Sequence, residues 1–173
     1  ASGLPMSSAQ SVDVLASGGT TLDALLREID GARGHIHLEY YIFEPDETGT
    51  RLLQALIAKA RAGVKVRLLV DAIGSPKLLS RRHRRLLDEF RAAGGEFAVF
   101  HPARLDRLRP LVNLRTHRKI VVIDNRVTYC GSNNCADAAF AIKPRFAPWV
   151  DAMMRFEGPI VLQNQHVFAT DWM

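Results

Sequence analysis

Cysteine is nearly absent from these 173 residues: only Cys130 and Cys135 occur, five apart across the run CGSNNC. Two thiols build no disulfide framework, and their spacing fits no zinc pattern, so we read two structural thiols in a reducing compartment. No apolar run reaches the roughly 18 to 20 residues that a membrane span needs. The opening ASGLPMSSAQ has no basic stretch leading into an apolar one, so no secretory signal is visible. The chain starts on Ala1 rather than Met, and we expect a segment processed or cut from a longer protein. Repeats and low-complexity tracts are also missing. What is present is 47% apolar and 24% charged residues, a balance that excludes disorder, collagen and coiled coil. The expectation is one soluble globular domain covering 1–173, long enough to bury a core.

Excess positive charge is confined to one stretch. Residues 1–75 carry 7 basic and 9 acidic groups, residues 120–173 carry 4 and 5, and residues 76–119 carry 12 and 4. The middle third therefore holds the whole net charge of +5. Such a stretch, with Arg81–Arg85 reading RRHRR, is either a solvated helix face or an electrostatic funnel for an anionic partner. Charge alone does not separate phospholipid from nucleic acid.

The apolar pattern alternates between periods of two and of 3.6. Ser11–Leu15 reads as a short strand. Thr20 or Thr21 is expected to cap a helix running to Arg33, with Leu22, Leu25, Leu26 and Ile29 on one face. HIHLEYYIF (His35–Phe43) is a strand, EPDETG a turn, and a second helix follows with Leu52, Leu53, Leu56 and Ile57 inward, stopped by Gly63. VKVRLLVDAIGS begins as a strand. A basic helix is expected over 76–93, then strand EFAVF, then a Pro- and Arg-rich loop over 102–115. RTHRKIVVID and VTYCGS read as two strands of a hairpin turning at Asn125-Arg126. A loop over 136–148, a strand in VDAMMRFEGP and a terminal helix over 159–172 complete the chain. Strand–helix alternation implies an α/β sandwich with a largely parallel sheet.

Within eighteen residues stand His117, Lys119, Asp124 and the run Gly131-Ser132-Asn133-Asn134. This resembles the H-x-K-xxxx-D-xxxxxx-G-S-x-N signature of the phospholipase D superfamily. The blocks IHLEYYIFEPDETG, GVKVRLLVDAIGS, NLRTHRKIVVID and PWVDAMMRFEGP resemble the bacterial cardiolipin synthases, although many of those have a second glycine where Ser132 stands here. The resemblance runs from about Ser11 to Trp172 and implies the first half of a family member, which carries the signature twice. It implies a phospholipase D-like α/β/α sandwich with a mixed, largely parallel sheet.

The spacing has its own logic. Alternate residues of a strand share a face, so His117 and Lys119 project together. Each disfavours the other's charged form, which suits a bound phosphodiester: a neutral imidazole can attack phosphorus while the ammonium neutralises a non-bridging oxygen. Gly131 lets backbone approach the anion, and Ser132 and Asn134 can donate further hydrogen bonds. Asp124 falls on the opposite face at the strand end, and a structural role in the turn is expected, although the family signature counts it with the catalytic set. Asp151 matches the acid that resembling enzymes place beside their nucleophile. A hydrogen bond from His117 to Asp151 is expected, fixing the imidazole tautomer. His35, His37 and Glu39 alternate on one strand, but no further ligand has telling spacing, so no metal is assigned. Phe140, Phe146 and Trp149 are read as packing residues.

The resemblance implies transfer of a phosphatidyl group between phosphatidylglycerol molecules through a phosphohistidine, with no metal or organic cofactor. It also implies action at an anionic membrane surface, at the bacterial inner membrane on its cytoplasmic face or peripherally. A second copy of the signature, in the same chain or in a homodimer partner, would complete the site. Two other readings stand: a homodimeric single-signature phosphodiesterase of the nuclease branch acting on DNA, and an inactive half that binds anionic membranes. Should one chain suffice, His101 is the first candidate for the missing acid.

Overall fold

Ser17, not Thr20 or Thr21, opens the first helix. In a computed structural model, which describes residues 6–100, 115–137 and 151–173, its hydroxyl accepts from the Thr20 amide at 3.2 Å. Both threonine hydroxyls donate back to the Ser17 carbonyl, at 3.0 and 2.8 Å. The cap lies upstream because the two threonine hydroxyls are spent on the Ser17 carbonyl, and the Ser17 oxygen takes the free amide. Strand β1 (Ser11–Leu15) precedes this helix, α1 (Gly18–Gly31), and β2 (His35–Tyr40) follows it.

Helix α2 (Glu47–Arg61) starts inside the expected turn, because the Asp46 carboxylate accepts from the Gly49 amide at 3.0 Å. Gly49 is obligatory there: a Cβ would stand 1.9 Å from the Glu44 carbonyl oxygen. After α2 come β3 (Lys65–Asp71), a 3-10 turn (Arg81–His83), α3 (Arg84–Ala92) and β4 (Glu96–Phe100). The basic helix expected over 76–93 is therefore half that length. The Ser80 hydroxyl and the His83 ring nitrogen both donate to the Lys77 carbonyl, at 2.6 and 2.9 Å. Such local bonds divert backbone acceptors from a helix ladder. Strands β5 (Lys119–Ile123), β6 (Val127–Gly131) and β7 (Met153–Glu157), then α4 (Ile160–Trp172), complete the described elements. The loops expected over 102–115 and 136–148, with His101, Phe140, Phe146 and Trp149, lie largely or wholly outside the described residues.

The strands form one mixed seven-stranded sheet in the order β1-β7-β6-β5-β2-β3-β4. Only β2–β3 and β3–β4 pair in parallel; β1–β7, β7–β6, β6–β5 and β5–β2 are antiparallel. The expected mixed sheet is present, but its largely parallel character is corrected. β5 to β7 follow one another without intervening helices among the described residues, and hairpins pair antiparallel.

Helices cover both faces, giving the expected α/β/α sandwich. On one face Leu25 and Ile29 of α1, Leu52, Leu53 and Leu56 of α2 and Phe90 of α3 pack on Ile36, Leu38, Val66, Leu68, Val121, Ile123 and Tyr129. On the other, Val161 of α4 packs on Ile120 and Val122. Strand β5 is buried throughout, with Lys119, Val121 and Ile123 toward the α1–α3 layer and Ile120 and Val122 toward α4. A strand covered on both sides is close-packed and so a firm mount for the residues at its ends.

Candidate active site

Register places the site. Tyr40 pairs with Lys119 across β2 and β5, so the chain leaving β2 runs beside the chain entering β5. The Tyr41 amide donates to the Arg118 carbonyl at 3.2 Å. His117 therefore lies two residues ahead of the strand expected to contain it, held by the last rung of the ladder. Its imidazole stacks on the Tyr41 ring, centroids 4.0 Å apart and planes inclined by 27°. The Lys119 ammonium lies 5.5 Å from the centroid of the same ring. It also donates to the His117 carbonyl at 2.7 Å. The two side chains share one aromatic floor, as their i, i+2 spacing requires.

Their surroundings differ. His117 is exposed, whereas Lys119 is 8% exposed. Burial pushes the Lys119 ammonium below its ordinary pKa, and the nearby Asp151 charge partly opposes that shift. Desolvation of this kind strengthens a cation's pull on an anion that reaches it.

The floor is itself buttressed by the turn after β3. The Ser75 hydroxyl donates to the Tyr41 carbonyl at 3.1 Å and accepts from the Phe43 amide at 3.0 Å. A Cβ on Gly74 would stand 2.0 Å from that same Tyr41 carbonyl oxygen, so only glycine lets the two segments meet. Asp71, fully buried, accepts from the amides of Ile73 and Gly74 at 2.8 and 3.0 Å. It also faces the Arg115 guanidinium at 3.6 Å, which ties the end of β3 to the segment preceding His117.

Gly131, Ser132 and Asn134 close the opposite wall. A Cβ on Gly131 would stand 2.3 Å from the Ala152 carbonyl oxygen, so its bare backbone admits β7. The Ser132 amide donates to the Ala152 carbonyl at 2.9 Å, and the Ser132 hydroxyl accepts from the Ala152 amide at 3.0 Å. These bonds hold Asp151 beside the site. The Asn134 side-chain oxygen accepts from the Ile42 amide at 3.3 Å, and its amide nitrogen has no partner among the described residues.

The expected bond from His117 to Asp151 is not formed: among the described residues no hydrogen bond or ion pair joins them. Tyr41 holds the imidazole instead, and the Asp151 charge is felt at Lys119. Asp124 sits at the far end of β5. There its carboxylate accepts from the amides of Arg33, Gly34 and His35 at 2.9, 2.8 and 2.8 Å. Burial raises its pKa, but the three amide donors outweigh burial and hold it below the ordinary value.

His35, His37 and Glu39 fall on the α4 face, away from His117. His37 Nδ1 bonds Gln165 at 2.9 Å and its ring stacks on Phe168 at 4.7 Å. Burial pushes His37 down to about 4. Glu39 accepts from the Thr116 hydroxyl at 2.6 Å. Burial, aided by the neighbouring Asp171 carboxyl, pushes Glu39 up to about 7 against the Thr116 bond and the Arg118 charge. Among the described residues no three such side chains converge to hold a metal ion. Sequence reasoning missed Tyr41 and Ser75 as site supports, and Thr116 as the link from the segment before Lys119 to Glu39. The paired tyrosines at the end of HIHLEYY were the one available signal.

Solved structures share this architecture. The phospholipase D family member Nuc from Salmonella typhimurium superposes with a TM-score of 0.65 at 22% identity, covering 94% of this chain and 93% of that one. NucT from Helicobacter pylori gives 0.69 at 15% identity, covering 94% and 95%. The fold is thus that of the phospholipase D-like proteins. More closely, the chain belongs to the family described as "Cardiolipin synthase, PLD-like domain", whose model matches residues 25–172. It is 41% identical over 162 residues to the major cardiolipin synthase ClsA of Bacillus subtilis and 41% over 168 residues to a cardiolipin synthase of Geobacillus kaustophilus. These alignments cover 94% and 97% of this chain but 33% of each relative. The chain thus spans a third of their length, less than the half that the sequence suggested.

Proposed function

We propose that this chain is a single catalytic domain, residues 1–173, supplying one half of the site of a cardiolipin synthase-type phosphatidyltransferase. The observation that carries the reading is the exposed His117 imidazole beside the buried Lys119 ammonium, both seated on Tyr41. In the proposed reaction a His117 ring nitrogen attacks the phosphorus of phosphatidylglycerol. A nitrogen–phosphorus bond forms, the bond to the glycerol headgroup oxygen breaks, and that oxygen leaves with a proton. A hydroxyl of a second phosphatidylglycerol then attacks the phosphohistidine, giving up its proton, and His117 is released. Lys119 neutralises a non-bridging oxygen throughout, and the free Asn134 amide can donate to another.

Asp151 would stabilise positive charge on His117 once substrate draws the imidazole off Tyr41, since apo hydrogen bonds often tighten only in the complex. Ser132 and Gly131 act by holding Asp151 and shaping the anion wall, and Asp124 by holding the turn. No metal or organic cofactor is called for. One imidazole cannot stand on both sides of phosphorus, so the proton for the leaving glycerol comes from a second copy of the signature, in the same protein or across a two-fold axis. The substrate implies work at an anionic bilayer, and the bacterial inner membrane, reached from the cytoplasmic side or peripherally, is the proposed location. Among the described residues no helix is long and apolar enough to cross it.

Sizing combined with phosphatidylglycerol liposomes and plasmid DNA tests the proposal. Cardiolipin and glycerol should appear in an associated fraction and barely in a monomeric one. Nicked plasmid without cardiolipin would replace this reading with a nuclease. Full transfer by a strict monomer would place the second acid within these residues.

A further inference from the structure

The arginines at the start of α3 have no local reason to be there. Arg81, Arg82, Arg84 and Arg85 crowd the N-terminal end of that helix, where the helix dipole disfavours cations. No acidic residue stands in its first turn and no side chain caps it. The two acids of α3 are already engaged: Asp88 by Arg84 at 4.0 Å and Arg91 at 3.5 Å, Glu89 by Arg61 at 2.9 Å. Arg81, Arg82 and Arg85 are exposed and have no ion pair among the described residues. A cluster that breaks a local rule without local compensation points to a partner.

The placement of the cluster names its use. The Leu79 amide donates to Ser75 at 3.2 Å, the Ser80 amide to Lys77 at 3.1 Å and the His83 amide to Ser80 at 3.1 Å. The arginines are thereby joined by consecutive turns to Gly74 and Ser75, which buttress the Tyr41 floor under His117. Lys77 is clamped to the buried Glu44 at 2.8 Å, fixing this segment to the loop between β2 and α2. Ile73, in the turn that the Asp71 carboxylate holds at the end of β3, is 43% exposed, an apolar side chain eight residues ahead of the first unpaired arginine.

We propose that Ile73 with Arg81, Arg82 and Arg85 forms a docking face for an anionic bilayer, which turns the His117 edge of the sheet toward the headgroups. Arginines meet lipid phosphates, and Ile73 enters the boundary between headgroups and acyl chains. A nucleic-acid backbone would satisfy the arginines and leave Ile73 in water, so the bilayer is the better fit. The inference rests on the phospholipid reading above in its choice of surface, but its test needs no turnover.

Co-sedimentation of the chain with vesicles of 3:1 phosphatidylcholine to phosphatidylglycerol, and with phosphatidylcholine alone, provides that test. Binding should require phosphatidylglycerol and weaken as salt is raised. Arg81→Gln/Arg82→Gln/Arg85→Gln should lower partitioning about a hundredfold, the effect of three basic residues at a charged surface. Ile73→Ser should lower it about fivefold, as loss of a partly inserted aliphatic side chain implies. Arg27→Gln/Arg33→Gln/Lys65→Gln removes the same charge from the other edge and should change partitioning less than twofold. Equal losses in the two triple variants, or an unchanged first triple with native circular dichroism, would overturn the proposal. So would retained vesicle binding accompanied by lost duplex-DNA binding. Transfer assays in detergent-dispersed substrate separate the two ideas. An inactive enzyme whose face still binds vesicles refutes only the transferase, and an active one whose face does not refutes only the docking surface.

Discussion

At one end of β5 stand His117 and Lys119; at the other stands Asp124, part of the same signature. The Asp124 end is fully satisfied, with three backbone amides on one carboxylate and two residues, Asp124 and Asn125, at φ 53° and 51° to turn the chain. The His117 end keeps an exposed imidazole on an aromatic ring and an ammonium out of water, held by a carbonyl and set over that same ring. One end spends its polar groups on the fold, while the other withholds them from it. The difference teaches that a signature read as one set divides into an end open to a ligand and an end bound into the backbone, five residues apart.

The sharpest way to break that division is His117→Ala. Turnover of any phosphodiester by the assembled enzyme should vanish while the melting temperature stays at the native value, and wild-type-like turnover would remove the assignment. Lys119→Ala should lower the rate by roughly 10² to 10³, as expected when one anion-stabilising contact is removed. Asp124→Ala should do the opposite: a loss of about 2 to 3 kcal/mol in urea titrations, as for a charged acceptor of several hydrogen bonds, with the rate per folded site preserved. Because the Asp124 pKa is held low, its contribution is present above the ordinary carboxylate range and fades as pH falls through the depressed value. A rate loss like that of Lys119→Ala would merge the two ends.

Smaller effects sharpen the comparison. Tyr41→Leu should reduce kcat about tenfold, the scale of one aromatic stack, and Tyr41→Phe should restore it. The smallest expected effect is a slope near zero. Glu39, pushed up to about 7, keeps a proton in the fold that the unfolded chain releases near 4.5. That contribution favours folding at low pH and fades as pH rises to about 7. His37, pushed down to about 4, stays neutral in the fold while the unfolded chain takes a proton near 6.5. Its contribution is present above 6.5 and fades as pH falls toward 4. Between about 4.5 and 6.5 the two oppose, so stability should be flat there. Glu39→Gln should uncover a rise with pH in thermal melts, and His37→Gln a fall.

Much of this was legible in the sequence because short-range rules governed it. The strands at Ser11, His35, Lys65, Glu96 and Val127, the stop at Gly63 and the structural role of Asp124 follow from period, turn chemistry and parity. The pairing sense of the sheet did not, because antiparallel β2–β5 contact joins residues some eighty positions apart. Ser17 replaced the threonines as cap through a competition between neighbouring hydroxyls that composition does not rank. Gly131 was read as room for an anion, whereas Ala152 fills that space, a contact visible only once β7 is in place. Tyr41 escaped notice for the same reason: a strand-end aromatic becomes a floor only when β5 arrives beside it.

The bond from the Lys119 ammonium to the His117 carbonyl has a kinetic consequence. A lysine side chain free in solvent samples many rotamers, an entropy of roughly 2 kcal/mol at room temperature. Here that freedom is lost when the strand forms, before any phosphate arrives. An anion that reaches Lys119 would then meet an ammonium already in place, with no search through that side chain's rotamers.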